Sequence, residues 1–218
     1  MKNIIFIAPP AAGKGTQSKL VSAEYNIPHI STGDLLRDEV ASGSAMGKAL
    51  KEEMDRGGLI SDDTMVNLLR MRICQVDCNN GYILDGYPRN VEQAKIYENL
   101  VYELGKDVGL VIFMDIDRDL ALKRTMSRIT CSACRASYNK DVLALSPKLP
   151  GFCDKCGHSL EVRSDDSLET AKTRFDTYLL QTRPLIDYYR QRGILRELKV
   201  LEQDSAQDVF AKIKSIIG

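Results

Sequence analysis

A chain of 218 residues with 30 Lys plus Arg against 30 Asp plus Glu has no formal net charge at pH 7, which excludes the broad basic field that non-specific nucleic-acid or anionic-membrane binding needs. At 44 % apolar residues it can bury a core, either as one domain with insertions or as two small ones. No apolar run approaches the roughly 20 residues of a membrane span, and Met1-Lys2-Asn3 shows no signal-peptide architecture; the expected location is the cytoplasm, where cysteines serve as free thiols or metal ligands more often than as disulfides.

The first element decides how the rest is read. Ile4-Ile5-Phe6-Ile7 is a buried-strand pattern that runs through Ala8-Pro9-Pro10-Ala11-Ala12 into Gly13-Lys14-Gly15-Thr16 and a helix-like stretch to Tyr25. A strand, a tight turn and a helix N-terminus aim backbone N–H groups and the positive end of the helix dipole at one point, which suits a phosphate chain. Lys14 would reach the outer phosphates. The strict phosphate-loop pattern has Gly where Ala8 stands and joins Lys directly to Ser or Thr, whereas Gly15 separates Lys14 from Thr16. On these residues alone an ordinary strand-to-helix turn with a solvated Lys stays open.

After Pro28, His29-Ile30-Ser31 reads as a short strand, with His29 in a structural place, and Thr32-Gly33-Asp34 as a helix start. Amphipathic stretches at about 35–42 and 47–56, separated by Ser42-Gly43-Ser44 and ended by Gly57-Gly58, form a small helical insertion. Ser61 caps a longer helix that puts Met65, Leu68, Leu69 and Ile73 on one face. Cys74 and Cys78, four apart on that predicted helix, are expected to face the core.

Gly81 to Gly86 and Gly109 to Ile116 are further buried strands. Apolar strands alternating with amphipathic helices indicate a parallel sheet covered on both faces, with ligands at the carboxyl ends of its strands. The loop at 8–16 and the turn at 85–89 would share that edge. From Arg128 to Arg163 the periodicity lapses and four cysteines appear, so this is an inserted subdomain. The parent pattern resumes at Asp166-Ser167-Leu168-Glu169, a capping-box-like start, with a long helix that Pro184 should kink or interrupt. A strand near 194–201 and a helix over 205–217 close the chain.

Cys131-x2-Cys134, followed after 18 residues by Cys153-x2-Cys156, is the four-thiolate spacing of a closed tetrahedral zinc site. Four protein ligands leave no position for water, so the metal would be structural and would fold an insertion too small to bury a core. His158 lies beside the cluster, but two complete knuckles make it an unneeded ligand. A zinc ribbon can read nucleic acid; here Arg135, Lys140, Lys148 and Lys155 are set against Asp141 and Asp154, with Tyr138 and Phe152 as aromatics, too little charge and stacking surface for that role.

Arg37, Arg89, Arg124, Arg128, Arg163 and Arg174 fall near element ends or insertion borders, and Arg124 and Arg128 are one helical turn apart on one face, entering the insertion that Arg163 leaves. A phosphate cradle, a Lys and several Arg in one cleft are what phosphoryl transfer needs, because negative charge spreads over the moving group. An acceptor that is itself a phosphate is already ionised at pH 7 and requires no general base.

With Gly13-Lys14-Gly15-Thr16, Ser31-Thr32-Gly33-Asp34-Leu35-Leu36-Arg37, Asp85-Gly86-Tyr87-Pro88-Arg89 with Gln93, the four cysteines, and Arg163-Ser164-Asp165-Asp166 followed by Arg174, the chain resembles the adenylate kinases, in particular the long form with a zinc-binding lid. The resemblance covers essentially the whole chain. It implies an α/β fold with a parallel five-stranded sheet flanked by helices, the P-loop nucleoside monophosphate kinase fold, with two inserted subdomains. The core would be 1–30, 61–126 and 165–218, the AMP-binding insertion 31–60, and the lid 127–164.

The resemblance also implies roles. Ala11, Ala12, Gly13, Lys14, Gly15 and Thr16 would hold the ATP phosphates, with Arg124, Arg128, Ser137 and Tyr138 closing over ATP. Thr32, Arg37, Gly58, Leu59, Ile60, Gly86, Tyr87, Pro88, Arg89 and Gln93 would hold AMP. Arg163 and Arg174 would clamp the phosphates, so that Lys14, Arg89, Arg128, Arg163 and Arg174 form the catalytic set. Asp85 would help place Mg²⁺ through water, with a capping acid as the other reading, and Cys131, Cys134, Cys153 and Cys156 would hold Zn²⁺. The implied partners are ATP, AMP and ADP, without nucleic acid or membrane, and the implied state is a monomer. The alternatives are a kinase for UMP or CMP and, farther off, a non-enzymatic zinc module binding nucleic acid. Ala8 and Ala11 stand where the family carries Gly, and both are expected at negative φ.

Overall fold

The computed structural model describes residues 3–55, 61–134, 136–162 and 168–218. The expectations for Gly58, Leu59, Ile60, Arg163 and the helix start at Asp166-Ser167 lie outside the described residues.

Five parallel strands form the main sheet: β1 (Ile4–Ile7), β2 (His29–Ser31), β3 (Ile83–Asp85), β4 (Leu110–Ile116) and β8 (Leu195–Val200), in the order β2-β3-β1-β4-β8. Side chains alternate across a strand, and here both faces are apolar. Ile5, Ile7, Leu84, Val111 and Phe113 enter one core cluster, while Ile4, Phe6, Ile83, Ile112 and Met114 enter the other. This is why β1 and the first five residues of β4 read as unbroken apolar runs, whereas the edge strand β8 carries exposed Arg196, Glu197 and Lys199; each fully buried aliphatic side chain contributes about 1.5–3 kcal/mol. A pair of buried tyrosines, Tyr82 and Tyr97, satisfies its hydroxyls mutually at 2.8 Å.

The helices begin where short polar side chains satisfy free N–H groups. Ser31 caps α2 (Thr32–Ser42), and α3 (Ala45–Asp55) follows it; Ser61 caps α4 (Asp62–Ile73), Asn90 caps α5 (Val91–Glu103) and Asp117 caps α6 (Arg118–Met126). At the end of the chain Ser205 and Asp208 form a reciprocal capping box on α9 (Ala206–Ile217). The first helix, α1 (Lys14–Tyr25), is different: its N-cap is Gly13, with no side-chain cap.

Pro184 interrupts the long helix as expected. α7 (Leu168–Thr177) widens into a π-helical segment, Tyr178–Thr182, with Arg183 N–H donating to the Tyr178 carbonyl at 2.9 Å, and α8 (Pro184–Gln191) restarts with the proline at its first position. The thiol expectation is half corrected. α4 ends at Ile73, Cys74 caps it and is exposed, and only Cys78, in a short 3₁₀ turn, is buried. Helix periodicity does not extend past the cap, so the two thiols do not share a face.

Between α6 and α7 a second, antiparallel sheet forms from β5 (Arg128–Cys131), β6 (Ser137–Asn139) and β7 (Leu160–Glu161), in the order β6-β5-β7. Its apolar cluster is small: Cys131, Ala136 and Cys153, with Tyr138 and Leu160 against them. Among the described residues, no helix is long and apolar enough to cross a membrane.

Candidate active site

Three chain segments converge at the carboxyl ends of β1, β2 and β3. After β1 the chain turns with the Ala12 N–H donating to the Pro9 carbonyl at 3.4 Å, and α1 starts on Gly13, whose φ of 91° is left-handed. No side chain reaches back over the first turn of α1, so its N–H groups face the cleft with the helix dipole behind them. That is an anion cradle.

Ala8 keeps negative φ, as expected. Ala11 does not: its φ is 63°, and the expectation for it is corrected. Two prolines precede it, and the chain must reverse between β1 and the helix start within a few residues. Turn geometry therefore overrides the cost of about 1 kcal/mol that a Cβ brings in this region.

Asp85 is the hub of the site. It ends β3, is buried, and stands beside β1 through the Phe6–Asp85 register and beside β2 through Ser31–Asp85. The Lys14 ammonium bonds one carboxylate oxygen, and His29 Nε2 lies 3.0 Å from the other, the tautomer protonated at Nε2 being the one a carboxylate selects. Burial pushes the carboxyl upward, but the His29 hydrogen bond and the Lys14 charge outweigh it and hold Asp85 down at about 2. At neutral pH the carboxylate is ionised in a low-dielectric place, as a water-mediated ligand of a divalent cation must be. The residues therefore fit the magnesium expected there.

Gly15 lies close enough that a Cβ on it would meet Asp85 Oδ2 at 3.7 Å, so this face of α1 looks onto the carboxylate. His29, read from sequence as structural, belongs to the site. Nothing in a single sequence signals it, because its partner is on another strand.

Across the same edge, Thr32 opens α2 in a buried position with its Oγ1 3.5 Å from the Asp85 carbonyl. Gly86 takes φ 90°, and a Cβ there would meet Thr32 Oγ1 at 2.7 Å, so this turn requires glycine. Arg89 folds back, its Nε donating to the Gly86 carbonyl at 2.9 Å, and the residue is exposed. Gln93 holds the turn from behind, accepting the Arg89 N–H at 2.8 Å and donating to Asp62 at 2.7 Å. Tyr87 and Pro88 are buried. Arg37, one turn into α2, pairs with Asp34 at the helix surface. Arg174 is on the exposed side of α7.

The arginines at the insertion are placed differently from the sequence reading. α6 stops at Met126, so Arg124 is on the helix and Arg128 opens β5; they do not share one helical face. Arg124 is 5 % exposed and donates to the Leu201 carbonyl at 3.2 Å, and burial lowers its pKa. Ser137 is exposed on β6. Tyr138 turns its hydroxyl to the cysteines, 3.5 Å from Cys153 Sγ, while accepting the Asp154 N–H at 2.9 Å.

The sulfurs of Cys131, Cys134, Cys153 and Cys156 all lie within 4.8 Å of one another. Four thiolates at about 2.3 Å from one tetrahedral zinc are separated by about 3.8 Å, so the cluster is compatible with that ion. The Cys134 N–H points at Cys131 Sγ at 3.5 Å, and His158 Nδ1 is engaged with the Cys156 carbonyl at 3.1 Å, outside the ligand set.

An uncapped helix start, an acid that pairs with its lysine and an arginine turn thus lie at one edge of the sheet. The model of the adenylate kinase family matches residues 6–194. The chain is 43 % identical over 214 residues to an adenylate kinase of Archaeoglobus fulgidus, covering 98 % of this chain and 95 % of that one. It is 42 % identical over 214 residues to one of Thermodesulfovibrio yellowstonii, with 98 % of each covered, and 41 % over 216 residues to one of Thermosipho africanus, covering 99 % of this chain and 98 % of that one. The chain belongs to the adenylate kinase family. It is an enzyme, a phosphotransferase with adenylate kinase activity.

Proposed function

We propose that the γ-phosphoryl group of ATP, held at the start of α1, passes to the phosphate of AMP, held over the turn after β3, giving two ADP reversibly. The observation that carries this reading is the uncapped N-terminus of α1, with Lys14 bonded to Asp85 and the Gly86–Arg89 turn on the same sheet edge. The N–H groups of the loop from Ala11 to Thr16, which runs into the first turn of α1, would hold the β- and γ-phosphates, and Lys14 would exchange Asp85 for the phosphates.

Arg89, Arg128, Arg163 and Arg174 would neutralise the charge that spreads over the transferred group, while Arg124, Ser137 and Tyr138 would flank ATP. Thr32, Arg37, the 58–60 segment, Gly86, Tyr87, Pro88 and Gln93 would seat AMP. The AMP phosphate oxygen forms the new bond to phosphorus as the bond to the ADP oxygen breaks, so catalysis is positioning and electrostatics, with no proton to remove.

Magnesium bound with ATP would supply further charge neutralisation, and Asp85 is the residue that would hold its water shell. Zinc on the four cysteines would fold the 127–164 lid. Residues 31–60 would be the AMP-binding insertion, and both insertions would close to exclude water, on a core made of 1–30, 61–126 and 165–218. The enzyme is read as a cytoplasmic monomer.

The test is a coupled assay over a panel of nucleoside monophosphates with Arg89→Ala in parallel. AMP is expected as the preferred acceptor, and Arg89→Ala is expected to lower kcat about 100- to 1,000-fold with an unchanged fold. A preference for UMP or CMP, or a near-normal kcat, would overturn the assignment it addresses.

A further inference from the structure

Where the chain leaves the main sheet for the cysteine-bearing insertion, one amide ties the two together. Asn139, the last residue of β6, is 3 % exposed and turns both its amide nitrogen and its amide oxygen to partners at the junction. Its Nδ2 donates to the Arg124 carbonyl at 2.8 Å, in the last turn of α6. Its Oδ1 accepts the Asp141 N–H at 3.1 Å and the Val142 N–H at 3.0 Å, which shapes the turn after β6, and it lies 2.7 Å from Ser127 Oγ. The orientation follows from the partners: a flipped amide would set its NH₂ against two N–H groups and its oxygen against a carbonyl.

Ser127 is the one-residue connection between α6 and β5. Its hydroxyl is also 2.6 Å from the Lys123 carbonyl, so its single proton serves one oxygen at a time. In the β5–β6 register Asn139 stands opposite Arg128. The same amide therefore grips the backbone of Arg124 and the strand partner of Arg128.

We propose that Asn139 is a positioning residue for the ATP side of the reaction: its bond to the Arg124 carbonyl fastens the β5–β6 pair to the end of α6 and so sets where Arg128 stands relative to Arg124 and the phosphate loop. This rests on the reading of Arg124 and Arg128 as ATP ligands. With one residue between helix and strand, a displacement at this bond carries directly to Arg128, and a shift of about 1 Å in a positioned cation can cost about 100-fold in rate.

Asn139→Asp separates the two halves of the amide. It keeps acceptor oxygens for Asp141, Val142 and Ser127, and it replaces the donor to Arg124 with an acceptor that repels that carbonyl. The experiment measures kcat and KM for ATP and AMP in the zinc-loaded full chain of Asn139→Asp, Asn139→Ala and Arg128→Ala, with metal content and unfolding temperature alongside. Asn139→Asp and Asn139→Ala are expected to raise KM for ATP, or lower kcat, by about 10-fold or more, with KM for AMP within about two-fold and metal content unchanged.

Parent ATP kinetics in Asn139→Asp beside an impaired Arg128→Ala would overturn the inference alone, as would equal losses for both substrates or a loss accompanied by lost metal. Parent kinetics in Arg128→Ala would overturn the reading beneath it as well. Should Asn139→Asp fail to fold, Ser127→Ala reads the same junction: its KM for ATP should rise relative to that for AMP, and a parent ratio overturns the proposal.

Discussion

Replacing Asp85 with Asn tests the hub of the site through stability and independently of catalysis. The carboxyl is depressed from its ordinary value to about 2 in the folded protein, and each tenfold change in an acid dissociation constant corresponds to about 1.4 kcal/mol. Ionised Asp85 therefore contributes about 2–2.5 kcal/mol at neutral pH. Because the folded value lies below the unfolded one, this stability is present above about pH 4 and is lost as pH falls through 2. Asn has the shape of the protonated acid, and Lys14, with its side chain a quarter exposed, can turn to water, so the substitution leaves no buried cation unpaired.

Asp85→Asn should thus be less stable than the parent by about 2 kcal/mol at pH 7, about 4–8 °C in Tm for a chain of this size. Half of the deficit should vanish near pH 3, midway between the two pKa values. The assay is urea unfolding followed by circular dichroism, without nucleotide or magnesium, since either would add binding energy. The two proteins are compared at each pH so that other carboxylates cancel. A deficit that stays constant from pH 7 to pH 3, or no deficit at pH 7, would refute the ion-pair argument.

Two further perturbations address the loop and the metal. Ala11→Gly relieves about 1 kcal/mol of left-handed strain and adds a similar unfolded-state entropy, so the variant should match or exceed the parent stability, within about 1 kcal/mol; a loss of more than that in denaturant titration would contradict the strain seen at Ala11. Metal analysis should find about one zinc per chain, and chelation should lower the unfolding temperature and erase amide protection over β5–β7, whose own apolar cluster is too small to hold it; a zinc-free protein that unfolds like the parent would refute the structural role.

Much of the architecture is legible in local chemistry. Unbroken apolar runs at 4–7 and 110–114 announce strands buried on both faces, Ser31, Ser61 and Ser205 announce helix starts, Pro184 announces an interruption, and two cysteine knuckles announce a four-sulfur cluster. Each of these depends on a residue and its neighbours within a few positions, which periodicity and capping report. The errors have the opposite character. Cys74 and Cys78 share a helical face only if α4 runs past its cap, and Arg124 and Arg128 are separated by a helix end that no residue marks strongly.

By itself, then, the sequence determined most element types, the strand-turn-helix start of the chain and the four-cysteine spacing, because strand alternation, helix capping and ligand spacing are short-range properties. The tertiary structure alone decided which groups meet. His29 reaches Asp85, 56 positions away, because β2 pairs with β3; Asn139 reaches the Arg124 carbonyl across a helix-to-strand junction, and Ala11 accepts a left-handed backbone because β1 and α1 must meet at that angle. These outcomes follow from the register of strands and the packing of elements against one another, for which residue type and local spacing carry no signal.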